Sequence, residues 1–155
     1  MKIEYVKGDL FSTNITTIVH GCDTQGVFGS GVAKIVRERY PKAYDRYMQE
    51  GRNGHLMLGD IIPVPCGDRQ NDPDNFKIIV NAITQEYYGR DGKRYVSYDA
   101  VAESMQKING MYDVYGIDAV AMPQIGAGLA NGDWNVIEKI IESELKTIQP
   151  YVYIL

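Results

Sequence analysis

Two glycine-rich segments are the parts of this chain best suited to bind a ligand. Residues 25–33 read Gln-Gly-Val-Phe-Gly-Ser-Gly-Val-Ala, and residues 123–130 read Pro-Gln-Ile-Gly-Ala-Gly-Leu-Ala. We call them the first and second glycine loops. Each lies between a strand-like and a helix-like run, where backbone N–H groups can bind phosphate without a cationic side chain. The pair predicts a diphosphate held from two sides, although either loop alone could serve only turns and close packing.

Two side chains near these loops are candidates for catalysis. His20 lies where the second predicted strand enters the first glycine loop, and imidazole titrates near neutral pH as a general acid, base or nucleophile. A packed histidine is the alternative. Asp133 stands at the start of the last predicted helix, one position before Trp134, which favours a capping role, but it could also orient water or pair with His20. For Cys22 we predict a packing role, because neighbouring strand residues need not face each other.

The elements that must position these residues alternate along the chain. Apolar patterns predict strands at 2–6, 16–20, 59–66, 77–83, 118–122 and 151–155, and helices at 31–40, 41–51, 98–115 and 133–148. This alternation predicts one α/β domain over residues 1–155, a three-layer α/β/α sandwich with a mixed, largely parallel central sheet. Ligands of such folds bind at the carboxyl ends of the strands, where both glycine loops would lie.

Composition excludes several classes of protein. The chain has 155 residues and a net charge of −4, which argues against long-range attraction to nucleic acid or anionic lipid. Cys22 and Cys66 have no metal-ligand spacing, and no apolar stretch is long enough to span a bilayer. Without a signal segment before the first strand, we expect reduced thiols and a cytoplasmic, intracellular location. We expect no metal and no cofactor.

The segment 87–95 mixes tyrosines with cations around an Asp-Gly pair. Such a composition can stack on single-stranded nucleic acid, but it is also typical of a solvated hairpin, which the acidic chain favours. Two standard nucleotide motifs are missing from the glycine loops. The first loop lacks the Gly-Lys-Ser/Thr of a P-loop, and Lys34 and Asn131 replace the third glycine of the dinucleotide fingerprint.

The motifs together resemble the macro domain, the ADP-ribose-binding module, over essentially the whole chain. They are Gly8-Asp9-Leu10 after the first strand, Ile-Val-His-Gly-Cys-Asp-Thr-Gln-Gly at 18–26 running into Gly-Ser-Gly-Val-Ala at 29–33, and Met-Pro-Gln-Ile-Gly-Ala-Gly-Leu at 122–129. The chain is most similar to the compact branch that contains ADP-ribose 1″-phosphate phosphatases and terminal ADP-ribose protein glycohydrolases.

The resemblance implies roles for individual residues. Asp9 would accept a hydrogen bond from the adenine amino group, with the Leu10 backbone beside it, although Asp9 could instead cap a turn. Tyr153 and Leu155 would line the adenosine pocket. The first loop would wrap the distal ribose and diphosphate, and the second would cover the diphosphate from the other side. The implied ligand-binding residues are Gly8, Asp9, Leu10, Gly21, Gln25, Gly26, Val27, Phe28, Gly29, Ser30, Gly31, Val32, Pro123, Gln124, Ile125, Gly126, Ala127, Gly128, Leu129, Ala130, Tyr153 and Leu155.

Two departures from the glycohydrolase pattern select between activities. Those enzymes carry an aspartate directly after Gly-Leu in the second loop, where this chain has Ala130, and a lysine nucleophile at a strand end, where it has Gln85. The resemblance therefore implies a phosphatase that converts ADP-ribose 1″-phosphate to ADP-ribose and phosphate without a metal, with His20 as nucleophile or acid/base and Asp133 assisting.

The alternatives are an ADP-ribosyl hydrolase acting on modified protein or nucleic acid, and a binding module without catalysis. The expected ligand is ADP-ribose or ADP-ribose 1″-phosphate. We expect no membrane partner and no nucleic acid except as an ADP-ribosylated substrate, and we favour a monomer.

Overall fold

In the part of the chain that the structure describes, six strands and four α-helices make up the fold. The structure, a computed structural model, describes residues 1–28, 31–87, 89 and 91–155. The strands are β1 (Glu4–Lys7), β2 (Thr17–Asp23), β3 (Ile61–Cys66), β4 (Lys77–Gln85), β5 (Ala119–Met122) and β6 (Gln149–Ile154). The helices are α1 (Gly31–Arg39), α2 (Pro41–Arg52), α3 (Tyr98–Tyr115) and α4 (Trp134–Glu144), and Leu10–Ser12 forms a short 3₁₀ turn.

The sheet has the order β1-β6-β5-β2-β4-β3. Every neighbouring pair is parallel except β3 and β4, which run antiparallel. The predicted mixed, largely parallel sheet is confirmed. Because five strands run in one direction, their carboxyl ends share one edge of the sheet, and the segments that follow β2, β4 and β5 meet there.

Helices cover both faces of the sheet, which gives the three predicted layers. On one face, α3 and α4 bury Met105, Ile108, Ile137 and Ile141 against the sheet. On the other face, α1 and α2 bury Val36, Ala43 and Tyr47. Local signals delimit the helices: Pro41 opens α2, the Ser97 side chain caps α3, and Gly116 ends α3 in the left-handed region at φ 69°.

Two predicted boundaries lie three or four residues from those in the structure. The last helix ends at Glu144 rather than at residue 148, and Leu145 and Ile148 are buried in the connection to β6. Strand β2 continues to Asp23 rather than residue 20, because Gly21 and Cys22 pair with β4. Gly-Cys-Asp has little strand propensity, so this extension depends on tertiary pairing. The predicted hairpin at 87–95 includes Tyr88 and Arg90, which lie outside the described residues.

Candidate functional site

A cleft of about 500 Å³ lies where β2, β4 and β5 reach the carboxyl edge of the sheet. This volume is within the range of small-ligand sites. Both glycine loops line it, as the parallel topology predicts. The predicted ligand-binding residues that line it are Gly21, Val27, Gly31, Val32 and all of 123–130. Gly29 and Ser30 lie outside the described residues.

A turn built on Asp23 carries the chain from β2 into the first glycine loop. The Asp23 Oδ1 atom accepts hydrogen bonds from the N–H groups of Gln25 at 2.8 Å and Val27 at 3.4 Å. The Tyr47 hydroxyl of α2 lies 2.6 Å from the Asp23 carbonyl oxygen and 2.9 Å from Oδ1, and it accepts from the N–H of Gly26 at 3.1 Å. Burial raises the pKa of Tyr47 well above its ordinary range, so this hydroxyl stays protonated. Asp23 therefore shapes the loop.

Close packing fixes the second glycine loop. Gly126 has φ 78°, and a Cβ there would lie 2.6 Å from a methyl carbon of Val96. A Cβ on Gly132 would lie 2.5 Å from Val96 and 2.7 Å from the Gly126 carbonyl oxygen. The N–H of Gly132 donates to that oxygen at 2.6 Å, and the N–H of Tyr95 donates to the Ala130 oxygen at 2.7 Å. Only glycine allows both backbone approaches.

The second loop leaves several backbone donors free for a ligand. Within it, the N–H groups of Ile125, Ala127 and Asn131 donate to loop carbonyls. Among the described residues, the N–H groups of Gly126 and of residues 128–130 donate no hydrogen bond. On the opposite wall, the first turn of α1 contributes Gly31 and Val32, and a helix N-terminus favours negative charge. These donors suit an anion such as a diphosphate.

The cleft has little side-chain charge of its own. The described residues that line it include no lysine and no arginine, and the one carboxylate, Asp23, already accepts loop N–H groups. A phosphate in this cleft would therefore rely on backbone dipoles.

The His20 side chain is buried against α2, under the first loop. The residue is 1% exposed, and its ring meets Phe28 edge-on with 5.1 Å between ring centroids. Nε2 lies 2.6 Å from Oδ1 of Asn81, whose Nδ2 is 3.3 Å from the carbonyl oxygens of Ala43 and Ile62. Because the Asn81 amide nitrogen donates to these carbonyls, Oδ1 is the acceptor and His20 Nε2 carries the proton.

Burial keeps this imidazole neutral. Desolvation lowers the pKa of His20 from 6.5 to about 4, and the hydrogen bond to Asn81 opposes the shift only in part. At neutral pH the ring can therefore donate through Nε2 and accept through Nδ1. His20 contributes to the cleft wall, and its catalytic role remains a prediction.

Cys22 and His20 do face each other, contrary to the reasoning from neighbouring positions. Residues two apart on a strand share a face, and the Cys22 Sγ lies 3.6 Å from His20 Nε2. Burial raises the pKa of the thiol well above its ordinary value, so the thiol stays protonated. Cys22 belongs to the buried cluster beneath α1 and α2, which agrees with the predicted packing role. Both cysteines are free.

Asp133 caps α4. Its Oδ1 accepts a hydrogen bond from the N–H of Asn135 at 2.9 Å, and its own N–H donates to the Tyr98 hydroxyl at 3.0 Å. The capping interpretation is confirmed. Asp133 is not among the residues that line the cleft, and the structure does not pair it with His20. Its catalytic role stays a prediction.

The residues predicted to bind adenosine meet at the ends of β1 and β6, on the same sheet edge as the cleft. The N–H of Gly8 donates to the Ile154 carbonyl oxygen at 2.7 Å. Asp9 caps the 3₁₀ turn by accepting from the N–H of Phe11 at 3.0 Å, so the capping alternative is realised. The Tyr153 hydroxyl donates to Thr13 Oγ1 at 2.7 Å, and Leu155 is 99% exposed. Contact with adenine remains a prediction.

Three further predicted side chains are engaged within the fold. Phe28 is 2% exposed, with its ring centroid 4.5 Å from that of Tyr47. Leu10 is buried, and Gln25 Nε2 donates to the Glu86 carbonyl oxygen at 3.0 Å. None of these three residues lines the cleft, and their contact with a ligand remains a prediction.

Sequence reasoning missed several residues of the cleft wall. Thr84 lines it from the end of β4, beside Gln85, and Gly89 also contributes. Thr84 follows an apolar strand without any motif, so only its position at a strand end could have indicated it. The anchoring role of Asp23 had a clearer signal, a carboxylate at the end of a strand two residues before the first glycine loop.

A larger cavity, of about 740 Å³, lies at the opposite edge of the sheet. It is bordered by residues 14–17, by Gly116–Ala119 and by Pro63 and Pro65 of β3. Neither glycine loop reaches it. We assign the ligand to the smaller cleft because that cleft has unpaired donors beside two left-handed glycines, Gly31 and Gly126.

Two further features are absent from the described part of the chain. It contains no cluster of three or more histidine, cysteine, aspartate or glutamate side chains that could hold a metal ion. None of its helices combines the length and the apolar character that a membrane span requires.

The fold and the cleft define a class: an α/β domain that presents backbone donors for an anionic ligand at the carboxyl edge of a mixed sheet. A family model, described as Macro domain, matches residues 19–141. The chain belongs to the macro domain family.

Comparison with individual proteins gives distant but extensive matches. The "ADP-ribose 1''-phosphate phosphatase" of Meyerozyma guilliermondii is 26% identical, and the alignment covers 97% of this chain and 98% of that protein. The "DNA ADP-ribosyl glycohydrolase" of Mycobacterium tuberculosis is 25% identical over 94% of this chain but only 39% of its own length. A solved structure of a protein of unknown function from Bacteroides thetaiotaomicron is 28% identical, with a TM-score of 0.84 and coverage of 100% and 99%.

Proposed function

We propose that this protein binds ADP-ribose in the cleft and hydrolyses the terminal phosphate of ADP-ribose 1″-phosphate. The single observation that supports the proposal best is the cleft itself. Among the described residues, N–H groups of the second loop donate no hydrogen bond and no cation lines the wall, and a helix N-terminus lies on the opposite wall. A full-length relative named for this phosphatase supports the choice of substrate.

The loops would supply binding and transition-state stabilisation. In the reaction, water adds to the phosphorus, the bond to the ribose oxygen breaks, and ADP-ribose and inorganic phosphate leave. Backbone donors that are already fixed need no reorganisation as charge develops on the phosphoryl oxygens. Holding the substrate at both the diphosphate and the terminal ribose would align the phosphate with the attacking group.

Two catalytic side chains are part of the proposal. Neutral His20 would act through the lone pair on Nδ1, and substrate would have to reach it past Phe28, which covers the ring. Asp133 would assist from the start of α4, outside the cleft wall. Both roles rest on the resemblance and on position, and His20→Ala tests the first directly. We also propose a cytoplasmic location, in line with two free thiols.

Hydrolysis of ADP-ribose from modified DNA is the second candidate, and one relative carries that name. Gln85 and Ala130 disfavour it. Both line the cleft where the glycohydrolases of this branch carry a lysine nucleophile and an aspartate, and the Gln85 amide donates to the Tyr87 carbonyl oxygen at 2.8 Å. An amide has no nucleophilic amine, so the lysine chemistry has no counterpart at this position.

One experiment separates the candidates. Purified protein is incubated with ADP-ribose 1″-phosphate, ADP-ribosylated protein and ADP-ribosylated DNA, and each product is quantified with and without a chelator. We expect phosphate release from the first substrate alone, unaffected by the chelator. His20→Ala should lose roughly a hundredfold in turnover while still binding ADP-ribose. Turnover of the DNA substrate alone would favour the second candidate, and binding without any turnover would favour a binding module.

A further inference from the structure

One buried hydroxyl at the cleft has no hydrogen-bond partner. Thr84 is 1% exposed, and among the described residues its Oγ1 is the one buried side-chain nitrogen or oxygen that lacks a partner. Buried polar groups are almost always paired, so an orphaned hydroxyl calls for an explanation. Thr84 lies at the carboxyl end of β4 and lines the cleft.

A β-bulge places this hydroxyl. Cys22 of β2 pairs with Ile83, and the next residue, Asp23, pairs with Gln85, so Thr84 is the extra residue on β4. The Thr84 carbonyl oxygen accepts from the N–H of Ser97 at 2.8 Å, which fixes its backbone away from β2. Bulges occur beside binding sites, where they redirect a side chain.

The hydroxyl lies next to Gly21 of β2, which also lines the cleft. A Cβ on Gly21 would lie 2.8 Å from Thr84 Oγ1 and 3.3 Å from a methyl carbon of Ile125. Glycine at position 21 therefore leaves room for the hydroxyl. Ile125 belongs to the second glycine loop and lines the same cleft as Gly21 and Thr84.

We propose that the Thr84 hydroxyl hydrogen-bonds an oxygen at the terminal-ribose end of the bound ligand, and so helps to select ADP-ribose over shorter adenine nucleotides. This inference rests on the proposed function, because it takes the ligand to be ADP-ribose. The hydroxyl can both donate and accept, which suits a ribose hydroxyl or a phosphoryl oxygen. Its position beside Gln85 and Ile125, away from β1 and β6, assigns it to the ribose end.

Calorimetry with ADP-ribose and ADP tests the contact. Thr84→Val keeps the shape of the side chain and removes the hydroxyl, whereas Thr84→Ser keeps the hydroxyl. We expect Thr84→Val to lose about five- to tenfold in affinity for ADP-ribose and to keep its affinity for ADP. Thr84→Ser should stay within about twofold of the wild type for both ligands. Thermal unfolding without ligand should occur at the same temperature or higher for Thr84→Val, because it removes an unpaired buried polar group.

Ser104→Ala is the matched control. The Ser104 hydroxyl is also buried, but it donates within α3 to the carbonyl oxygens of Ala100 and Val101, at 2.9 and 3.0 Å. Its loss should leave both affinities unchanged. Wild-type affinity of Thr84→Val for ADP-ribose, or an equal loss for ADP, would overturn the Thr84 proposal and leave the proposed function intact. A wild-type protein that fails to bind ADP-ribose would overturn both.

Discussion

The two glycine loops face one cleft, yet different forces hold them. The first loop is held by a hydrogen-bond network in which the Asp23 carboxylate and the Tyr47 hydroxyl accept from the N–H groups of residues 25–27. The second loop is fixed by close packing, in which Gly126 and Gly132 bring backbone against Val96. Two loops with similar glycine spacing are therefore held by different interactions, and we expect substitutions in them to affect stability and binding differently.

The largest effect should come from the packed loop. Gly126→Ala would place a Cβ 2.6 Å from Val96 in a backbone at φ 78°, whereas Gly128 has no neighbour within 4 Å and no positive φ. We expect Gly126→Ala to lower the free energy of unfolding by about 3 kcal/mol, from left-handed strain plus overpacking. Gly128→Ala should change it by less than about 0.5 kcal/mol. Urea denaturation monitored by circular dichroism measures both.

Gly128, which has space for a Cβ, separates a packing role from a binding role in the second loop. If Gly128 is glycine because ligand approaches its backbone, Gly128→Ala should weaken ADP-ribose binding about tenfold in a fully stable protein. Equal stability of the two variants would show that packing does not fix the second loop.

The stability of the protein should depend on pH through His20, which is buried beneath Phe28 of the first loop. Because burial lowers the pKa of His20 to about 4, the unfolded chain takes up a proton at a higher pH than the native protein. The contribution of neutral His20 is complete above about pH 6.5 and is lost as the pH falls toward 4. Lowering the pH from 7 to 5 should therefore reduce the free energy of unfolding by about 2 kcal/mol.

His20→Gln isolates this contribution, since a glutamine cannot titrate. Urea denaturation of both proteins from pH 5 to pH 8 should give a stability difference that shifts in favour of the variant at low pH. A constant difference across this range would mean that the imidazole reaches solvent, which would also make it accessible to substrate.

A smaller effect is expected where a single hydroxyl joins the first loop to α2. Tyr47→Phe removes the donor to Asp23 and the acceptor for Gly26 N–H. We expect a loss of about 1.5 kcal/mol in stability and weaker ADP-ribose binding, because the loop donors lose their fixed positions. Tyr44→Phe is the control, since this half-buried tyrosine packs on Phe28 and makes no hydrogen bond to the described N–H groups of the loop. Identical behaviour of the two variants would contradict the network.

Sequence alone predicted the packed layers well and the polar loop poorly. Strand and helix patterns follow burial, so the alternation, the mixed sheet and the position of both loops at its carboxyl edge could be read from periodicity. The extension of β2 through Gly21 and Cys22 could not, because it depends on pairing with β4 rather than on local propensity.

The same limit applies to the site. Both glycine loops were recognisable because backbone donors require glycine, but the burial of His20 beneath Phe28 depends on where α2 packs. The bulge that singles out Thr84 arises from a register shift between two distant strands. No local pattern encodes either feature.

The smallest effect on stability is expected at Asp133, which follows the second loop and caps α4 through a hydrogen bond. Asp133→Ala should destabilise the protein by about 1 kcal/mol through loss of the N-cap, whereas Asp133→Asn should cost only a few tenths, because asparagine caps nearly as well. Thermal unfolding measures the pair, and turnover of ADP-ribose 1″-phosphate by Asp133→Asn tests the charge separately. If Asp133 only caps α4, Asp133→Asn keeps wild-type turnover. A loss of turnover with unchanged stability would make the carboxylate part of the chemistry and would bring the end of the packed loop into the catalytic machinery.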